Sequence, residues 1–158
     1  MSIILRSATL EDYNQLRVIY EELDELHRYE HPDLFQKPDG NARPVEYIKD
    51  LVLSKNKALI VAESDEVIIG FAECFVVSSG FFPVFKQRKW VHLDNIAIKR
   101  EYQNKGIGKL LLNEIKLWAK TRNIRRVELM VYKFNKQAKH FYQNTGFNEL
   151  TTTMYMDL

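Results

Sequence analysis

The residues best placed to do chemistry form one short segment, Gln103-Asn104-Lys105-Gly106-Ile107-Gly108-Lys109. It follows a predicted strand, Trp90–Ile98, and begins a predicted helix, Gly106–Thr121. Such a turn points successive backbone N–H groups the same way, and the helix N-terminus adds partial positive charge. The two glycines let an anion approach the backbone, and Lys105 and Lys109 add full charges. The segment is therefore predicted to bind phosphate, and a tight turn without a ligand is the alternative.

The elements that would position this segment follow from the spacing of apolar residues. Four stretches repeat apolar residues every three or four positions, as helices with one buried face do, and β-rich runs lie between them. The predicted helices run from about Leu10 to Tyr29 and over Val45–Leu53, Gly106–Thr121 and Lys136–Asn144. The predicted strands are Ile3–Ser7, Ala58–Glu63, Val67–Ser78, Trp90–Ile98 and Val127–Tyr132, with one or two more in Phe147–Met156. In a chain of 158 residues this order indicates one α/β or α+β domain around a single sheet.

The composition excludes several other classes of protein. Hydrophobic residues make up 46% of the chain, so we expect a folded globular domain. The one cysteine, Cys74, lies in an apolar run and is predicted to be buried and unreactive. No secretory signal is visible and no apolar run reaches the ~20 residues of a membrane span, so we expect a cytoplasmic protein. His27 and His31 lack an evident third ligand, and no metal site is predicted.

Charge is distributed unevenly along the chain. Residues 1–80 carry 8 basic and 15 acidic side chains, whereas residues 81–158 carry 15 basic and 6 acidic ones. A basic second half fits a polyanionic ligand, which is either a phosphate-bearing cofactor or a nucleic-acid backbone. No helix-turn-helix or aromatic RNA-binding motif accompanies the basic residues, so a nucleic-acid-binding module is the less favoured interpretation.

Two motifs in the second half resemble those of a known family. The first motif is Gln103-x-x-Gly106-x-Gly108, which follows a strand that ends in Ile96-Ala97-Ile98. It resembles the acetyl-CoA-binding motif Arg/Gln-x-x-Gly-x-Gly/Ala of the GNAT superfamily of N-acetyltransferases. The segment Asn135–Phe147, read as Asn-x-x-Ala-x-x-Phe-Tyr-x-x-x-Gly-Phe, is similar to the next family block. The opening Leu5–Asp12 resembles the first strand and turn of the family. The resemblance therefore covers nearly the whole chain.

The resemblance implies a fold and a placement of the cofactor. It implies a single domain over residues 1–158, with a splayed, mixed and mostly antiparallel sheet of six to seven strands and about four helices. Acetyl-CoA would lie between the strands Trp90–Ile98 and Val127–Tyr132. Residues 90–147 would form the acetyl-CoA-binding half, and residues 1–80 the acceptor side.

The resemblance also implies individual roles. The strand backbone would pair with the pantetheine arm of the cofactor and polarise the thioester carbonyl, and the loop amides would hold the pyrophosphate. Asn135 would contact the CoA arm. Tyr142 would protonate the leaving thiolate. The strand residues are Ile96, Ala97 and Ile98, and the loop residues are Gln103, Asn104, Lys105, Gly106, Ile107, Gly108 and Lys109.

The general base stays open at the level of the sequence. Some family members place a glutamate on the strand before the asparagine, where this chain has Met130. His92 and Asp94 are two positions apart on one strand, so their side chains would lie on the same face of the sheet and could both face the substrate. Glu73, on the preceding strand, is the third candidate. A water relay without a single base is a further alternative.

The acceptor is predicted from charge. Six acidic residues in and after the first helix would attract a small cationic amine: Glu21, Glu22, Asp24, Glu25, Glu30 and Asp33. A peptide amine is the alternative acceptor, and a solvated helix face is the alternative reading of these acids. The aromatic segment Phe81–Phe85 could be an acceptor-site lid or a contact in a homodimer. The sequence therefore predicts acetyl transfer from acetyl-CoA to a primary amine by direct attack in a ternary complex. A catalytically inactive CoA-binding sensor is the main alternative.

Overall fold

A five-stranded sheet organises the computed structural model, which describes residues 2–158. In chain order the strands are β1 Ile4–Ser7, β2 Lys57–Ser64, β3 Val67–Ser78, β4 Lys89–Ile98 and β5 Val127–Leu129. They lie side by side in that same order, β1 to β4 antiparallel and β5 parallel to β4. The helices are α1 Tyr13–Glu30, α2 Val45–Leu53, α3 Ile107–Lys120 and α4 Lys136–Asn144. The α+β class and the four helices are as the sequence predicts.

Helices cover both faces of the sheet. The apolar stripe of α1 buries Leu16, Ile19 and Tyr20, and together with α2 it closes one core over Phe71 of β3. On the opposite face, the stripe of α3 packs over Leu93 and its neighbours. Cys74 is fully buried in this second core, and burial raises the pKa of its thiol to about 12. In residues 2–158, no helix is long and apolar enough to cross a bilayer.

Two short connections fix the start of α1 and the pairing of β2 with β3. Asp65 and Glu66 join β2 to β3 with φ of 50° and 63°, the left-handed pair of a two-residue hairpin turn. Before α1, the Asp12 carboxylate accepts a hydrogen bond of 2.8 Å from the backbone N–H of Thr9, which is half of a capping box. Arg6 of β1 donates to the same carboxylate and so fixes the start of α1 to the sheet.

The predicted number of strands, six to seven, is wrong, because the described residues form five. Phe147–Met156 contains no strand: beyond Phe147 the backbone makes no hydrogen bond within residues 2–158. The predicted strand Val127–Tyr132 also ends early, at Leu129, because β4 diverges there and leaves Met130–Tyr132 without a partner. Met130–Tyr132 has no strand to pair with because β4 diverges, whereas Phe147–Met156 stays unpaired although the outer edge of β5 is open.

Candidate active site

A cleft opens in the sheet where β4 and β5 separate. The two strands pair only from Val91 with Val127 to Leu93 with Leu129. Beyond Leu93, β4 continues to Ile98 with β3 on one side and no strand on the other. The sheet is thus splayed, as the resemblance implies, and the last five residues of β4 present a free backbone edge.

Strand geometry shows which backbone groups face this cleft. The N–H of Lys99 donates to the Ile69 carbonyl of β3 at 2.9 Å. Because polar backbone groups alternate along a strand, those of Ile98 and Ile96 point away from β3. The Ile98 carbonyl accepts a bond of 3.0 Å from Gln103 Nε2, which agrees with that direction. The N–H and C=O of Ile96 therefore face the cleft, whereas those of Ala97 face β3.

The loop between β4 and α3 forms a cradle of backbone amides. The N–H groups of five successive residues, 104 to 108, donate to no acceptor within the described chain. Asn104 and Gly106 both have left-handed backbone conformations, with φ of 61° and 81°, which turn neighbouring amides toward a common point. Gly106 is also the N-cap of α3, so the helix dipole adds positive charge there. This arrangement is suited to a pyrophosphate.

Cationic side chains flank the cradle, and α4 supports it. Lys105 Nζ donates to the Glu101 carbonyl at 3.0 Å and lies 5.1 Å from the centre of the Tyr102 ring, while Lys109 is exposed in the first turn of α3. A Cβ added to Gly108 would lie 3.4 Å from the ring of Phe141, so the start of α3 packs closely on α4. The loop and α4 are thereby held as one unit.

Helix α4, which packs on the start of α3, carries Asn135 as its N-cap and Tyr142 in its last turn. The Asn135 side chain is the N-cap, and its Oδ1 accepts a bond of 3.0 Å from the Ala138 N–H. Its structural role is therefore clear, and its amide group still has two donors to offer. Tyr142 packs against Phe141 and Phe147, and its hydroxyl has no hydrogen-bond partner within residues 2–158. Burial raises the pKa of Tyr142 well above its usual value, so the hydroxyl stays protonated.

On the opposite side of the cleft, the Glu73 carboxylate of β3 accepts hydrogen bonds from three side chains. Glu73 is 2% exposed. Tyr20 of α1 donates to it at 2.7 Å, Asn95 of β4 donates at 3.1 Å, and the Tyr47 hydroxyl of α2 donates to its other oxygen. Burial, and the negative charge that the tyrosines face, raise the pKa of Tyr20 and Tyr47. Four elements are thus tied together at one buried carboxylate.

A β-bulge beside Glu73 exposes Asp94. Glu73 pairs with Asn95 and the next residue, Cys74, pairs with Leu93, so Asp94 is the extra residue of β4. The amide group of Asn95 donates to both Glu73 and Asp94, each at 3.1 Å. Asp94 is itself exposed to solvent at the point where β4 and β5 begin to separate.

His92 completes this group. Its Nε2 lies 3.8 Å from Asp94 Oδ1, which confirms that the two side chains share a face. Its ring packs 5.1 Å from the ring of Phe75, on the α1 and α2 side of the sheet. The structure therefore brings the three candidate bases of the sequence together, with His92 and Asp94 accessible and Glu73 enclosed.

Three residues of this group escaped the sequence analysis: Tyr20, Tyr47 and Asn95. The two tyrosines occupy apolar stripes of α1 and α2, where a hydroxyl gives no signal of its own. Asn95 had a weak signal, since it follows Asp94 directly on a strand of otherwise apolar residues. Only the packing of both helices on β3 shows that these polar groups meet.

The acidic residues of α1 are partly occupied by partners within the chain. Asp24 pairs with Arg43 at 2.5 Å, and Glu21 pairs with Arg28 at 2.7 Å. Glu22 accepts from the backbone N–H of Arg100 at 3.1 Å and so ties α1 to the turn before the amide cradle. Three of the six predicted acceptor-side acids are exposed and have no partner among the lysines and arginines of residues 2–158. They are Glu25, Glu30 and Asp33.

An aromatic cluster closes the end of α1 against the segment after β5. Its members are His27, His31, Phe35, Tyr132 and Phe134, with ring centres 5.3 to 5.9 Å apart. The Nδ1 of His27 lies 2.8 Å from the Leu23 carbonyl and donates to it. The two histidines thus have a packing role, and no group of three metal-ligating side chains occurs within residues 2–158.

Comparison with known proteins agrees with this geometry. The family model described as Acetyltransferase (GNAT) family matches residues 16–147. This chain belongs to that family. The cleft between β4 and β5, with its amide cradle and free strand edge, lies within the matched range.

Two curated relatives have N-acetyltransferase names. An uncharacterized N-acetyltransferase of Methanocaldococcus jannaschii is 30% identical over 103 residues, which are 65% of this chain and 44% of that protein. The L-ornithine N5-acetyltransferase of Arabidopsis thaliana is 31% identical over 83 residues, 52% of this chain and 35% of the plant protein. The chain therefore matches less than half the length of each relative.

Solved structures show the same fold. A mutant of the BH1408 protein from Bacillus halodurans superposes with a TM-score of 0.93 at 26% identity, covering 98% of this chain and 99% of that one. An aminoglycoside N-acetyltransferase in complex with CoA has a TM-score of 0.75 at 16% identity, covering 99% of this chain and 95% of the other. The second likeness establishes the fold alone.

Proposed function

We propose that this chain transfers an acetyl group from acetyl-CoA to a primary amine, by direct attack in a ternary complex. The observation that carries the proposal is the continuity of the amide cradle at residues 104 to 108 with the free edge of β4 at Ile96. A ligand with a diphosphate joined to an extended amide-containing arm matches both parts. Membership of the GNAT family supports acetyl-CoA as that ligand.

The transfer needs three groups from the protein, and the site has a candidate for each. The amine nitrogen attacks the thioester carbonyl carbon, and the Ile96 N–H donates a hydrogen bond to the oxygen that becomes negative. The C–S bond then breaks, and the CoA thiolate takes a proton from the Tyr142 hydroxyl. The proton lost by the amine goes to His92. Water afterwards carries that proton from His92 and returns one to Tyr142.

Asp94 and Glu73 have different roles in this proposal. Asp94 is exposed at the bulge and attracts a cationic group of the acceptor, while the attacking nitrogen lies beside His92 as the neutral amine. Glu73 has both oxygens occupied by donors and is 2% exposed, so it is a positioning residue that fixes Tyr20, Tyr47 and Asn95. A carboxylate so enclosed has no free oxygen for the acceptor.

The acceptor is a small amine with at least one further cationic group. The exposed acids Glu25, Glu30 and Asp33, at the end of α1 and just after it, support this class, because they add negative potential there. The names of relatives point the same way: one matched protein is named for L-ornithine and several fold neighbours for aminoglycosides. Ornithine, linear polyamines and aminoglycosides are the compounds to test first.

The experiment is an assay of free thiol release across an amine panel, with the acetylated product identified by mass spectrometry. We expect release from acetyl-CoA that depends on a polycationic amine and stops when a neutral alcohol replaces it. Tyr142→Phe is measured in parallel, and unchanged turnover in that variant would overturn only the assignment of the acid. Binding of acetyl-CoA without turnover on any amine would instead favour a CoA-binding sensor.

A further inference from the structure

One group of basic residues takes no part in the cleft between β4 and β5. It lies at the opposite end of the sheet, where β2, β4 and β5 begin and where β3 and α3 end. Its eight members are Lys55, Lys57, Arg88, Lys89, Lys120, Arg122, Arg125 and Arg126. The amide cradle lies at the other end of α3, a helix of 14 residues that is therefore about 21 Å long. A pyrophosphate in the cradle does not reach this second group of charges.

Few carboxylates balance the charges of this group. Asp50 pairs with Lys57, and Glu128 pairs with both Arg88 and Arg126. The members that form no ion pair within residues 2–158 are Lys55, Lys89, Lys120, Arg122 and Arg125. The whole stretch from residue 74 to residue 93 contains no acidic residue. This end of the molecule therefore has an excess of positive charge, which attracts anions.

Three of the cations without a partner line one open cavity of about 490 Å³, named here the basic cavity. Lys55 comes from the turn before β2, Lys89 from the start of β4, and Arg122 from the turn after α3. The amide of Asn56 and the hydroxyl of Thr121 add polar groups to the lining, and no carboxylate of residues 2–158 lines it. Like charges around a concavity repel one another, and an anion bound between them relieves that repulsion.

The guanidinium of Arg122 is held in place at the basic cavity. Its central carbon lies 3.8 Å from the centre of the Trp118 ring. Nη1 donates to the Trp118 carbonyl at 3.3 Å and to Thr121 Oγ1 at 3.1 Å, and Nη2 donates to the Lys55 carbonyl at 3.1 Å. A guanidinium has five N–H groups, so these three bonds leave one on Nη2 and the one on Nε for a bound oxygen.

The C-terminal end of α3 does not oppose an anion in the basic cavity. The last carbonyl groups of a helix carry partial negative charge, but here donors of the chain cover them. The Leu117 carbonyl accepts from the backbone N–H of Thr121, and the Ala119 carbonyl accepts from that of Ile124. The Trp118 carbonyl accepts from Thr121 Oγ1 at 2.8 Å as well as from the arginine. The cationic side chains therefore dominate the potential there.

We propose that the basic cavity is a second anion site, separate from the amide cradle, and that it binds a small ligand with at least two phosphate groups. A phosphate monoester carries a charge of about −1.5 to −2 at pH 7, so two phosphates, and not one, balance three cations. The three cations belong to three different elements, and two joined phosphates can contact all of them. An enclosed volume of this size suits a small molecule, whereas a nucleic-acid strand needs an extended groove.

The test is a calorimetric titration of the full chain with inorganic tripolyphosphate, which has neither a base nor a pantetheine arm. Saturating CoA is present, so that the amide cradle is already occupied. We expect one molecule to bind per chain, with an affinity that falls as the salt concentration rises. Lys55→Gln with Lys89→Gln should weaken this binding by about 100-fold, a factor of ten for each charge-assisted hydrogen bond that is lost.

Arg17→Gln with Lys37→Gln is the matched control, because it removes the same charge from exposed positions in the acidic half of the chain. This pair should bind tripolyphosphate within about twofold of wild type, since distant surface charges are screened by salt. Circular dichroism checks that both pairs fold, as expected for exposed side chains.

Four results would overturn the proposal: no binding of tripolyphosphate, loss of all its binding when CoA is added, equal affinity in the two pairs, or binding of a single-stranded oligonucleotide in its place. The two pairs are also compared without CoA. A chain that fails to bind CoA would then contradict the proposed acetyl transfer, while the difference between the pairs would still test the basic cavity.

Discussion

The two sides of the cleft are built from different kinds of group. On the cofactor side, the candidate ligands are backbone atoms: five amides at residues 104 to 108 and the polar groups of Ile96. On the acceptor side they are side chains from α1, α2, β3 and β4 that meet at Glu73 and Asp94. A backbone site depends on conformation, whereas a side-chain site depends on the identity of each residue. Substitutions on the two sides should therefore have different effects.

The largest effect is expected from His92→Gln, because a general base typically contributes about 10²–10⁴-fold to the rate. The variant should lose kcat by that order while its affinity for acetyl-CoA is unchanged, since His92 lies on the acceptor side. His140→Gln, an exposed histidine of α4, is the matched control and should keep full activity. Equal losses in both variants would show that His92 has no special role.

Glu73→Ala should mainly affect stability. It removes the acceptor for Tyr20, Tyr47 and Asn95, and leaving buried donors without partners costs about 1–3 kcal/mol for each group. We expect the free energy of unfolding in urea to fall by about 3 kcal/mol. The KM for the amine should rise as the acceptor side loosens. Glu73→Gln keeps one oxygen acceptor and should lose less; a Glu73→Ala protein as stable as wild type would refute the buried network.

Tyr142→Phe should lower kcat by about 10 to 100-fold, the value of one hydrogen bond to a charged group. The calorimetric affinity for acetyl-CoA should stay within about twofold of wild type, because the phenyl ring retains the packing on Phe141 and Phe147. Tyr29→Phe, on the exposed surface of α1, serves as the control. A matching loss in cofactor affinity would mean that Tyr142 binds rather than protonates.

The smallest effect is expected from Gly106→Ala. Its φ of 81° disfavours a residue with a Cβ by about 1–2 kcal/mol, although no atom obstructs the site. Strain in the cradle should weaken acetyl-CoA binding by roughly tenfold with little change in kcat. Gly40→Ala, at an open position without a positive φ, should bind as wild type does. Equal affinity in both variants would show that the cradle tolerates distortion and that the comparison between backbone and side chains is too simple.

The same contrast explains what could be predicted from the sequence. The amide cradle is local, because two glycines and an asparagine within five residues fix its backbone, and a linear motif is enough to find it. Glu73, Tyr20 and Tyr47 are 26 to 53 positions apart in the chain and meet only through packing. Periodicity identified the helices that carry the tyrosines but not the hydroxyls that converge on one carboxylate.

Strand prediction failed for a related reason. Phe147–Met156 has strand character, yet a strand also requires pairing with another strand, and the pattern of one segment contains no information about that pairing. Met130–Tyr132 likewise lost its strand where β4 diverges. This second error lies at the cleft, where the sheet is interrupted and a ligand can enter.

The most direct test of the proposed function is a calorimetric titration of the wild-type chain with acetyl-CoA. The geometry leads us to expect saturable binding of one molecule per chain, competed by CoA and weakened in Gly106→Ala but not in His92→Gln. Absence of acetyl-CoA binding would contradict the assignment of the cleft between β4 and β5, and with it the proposed acetyl transfer.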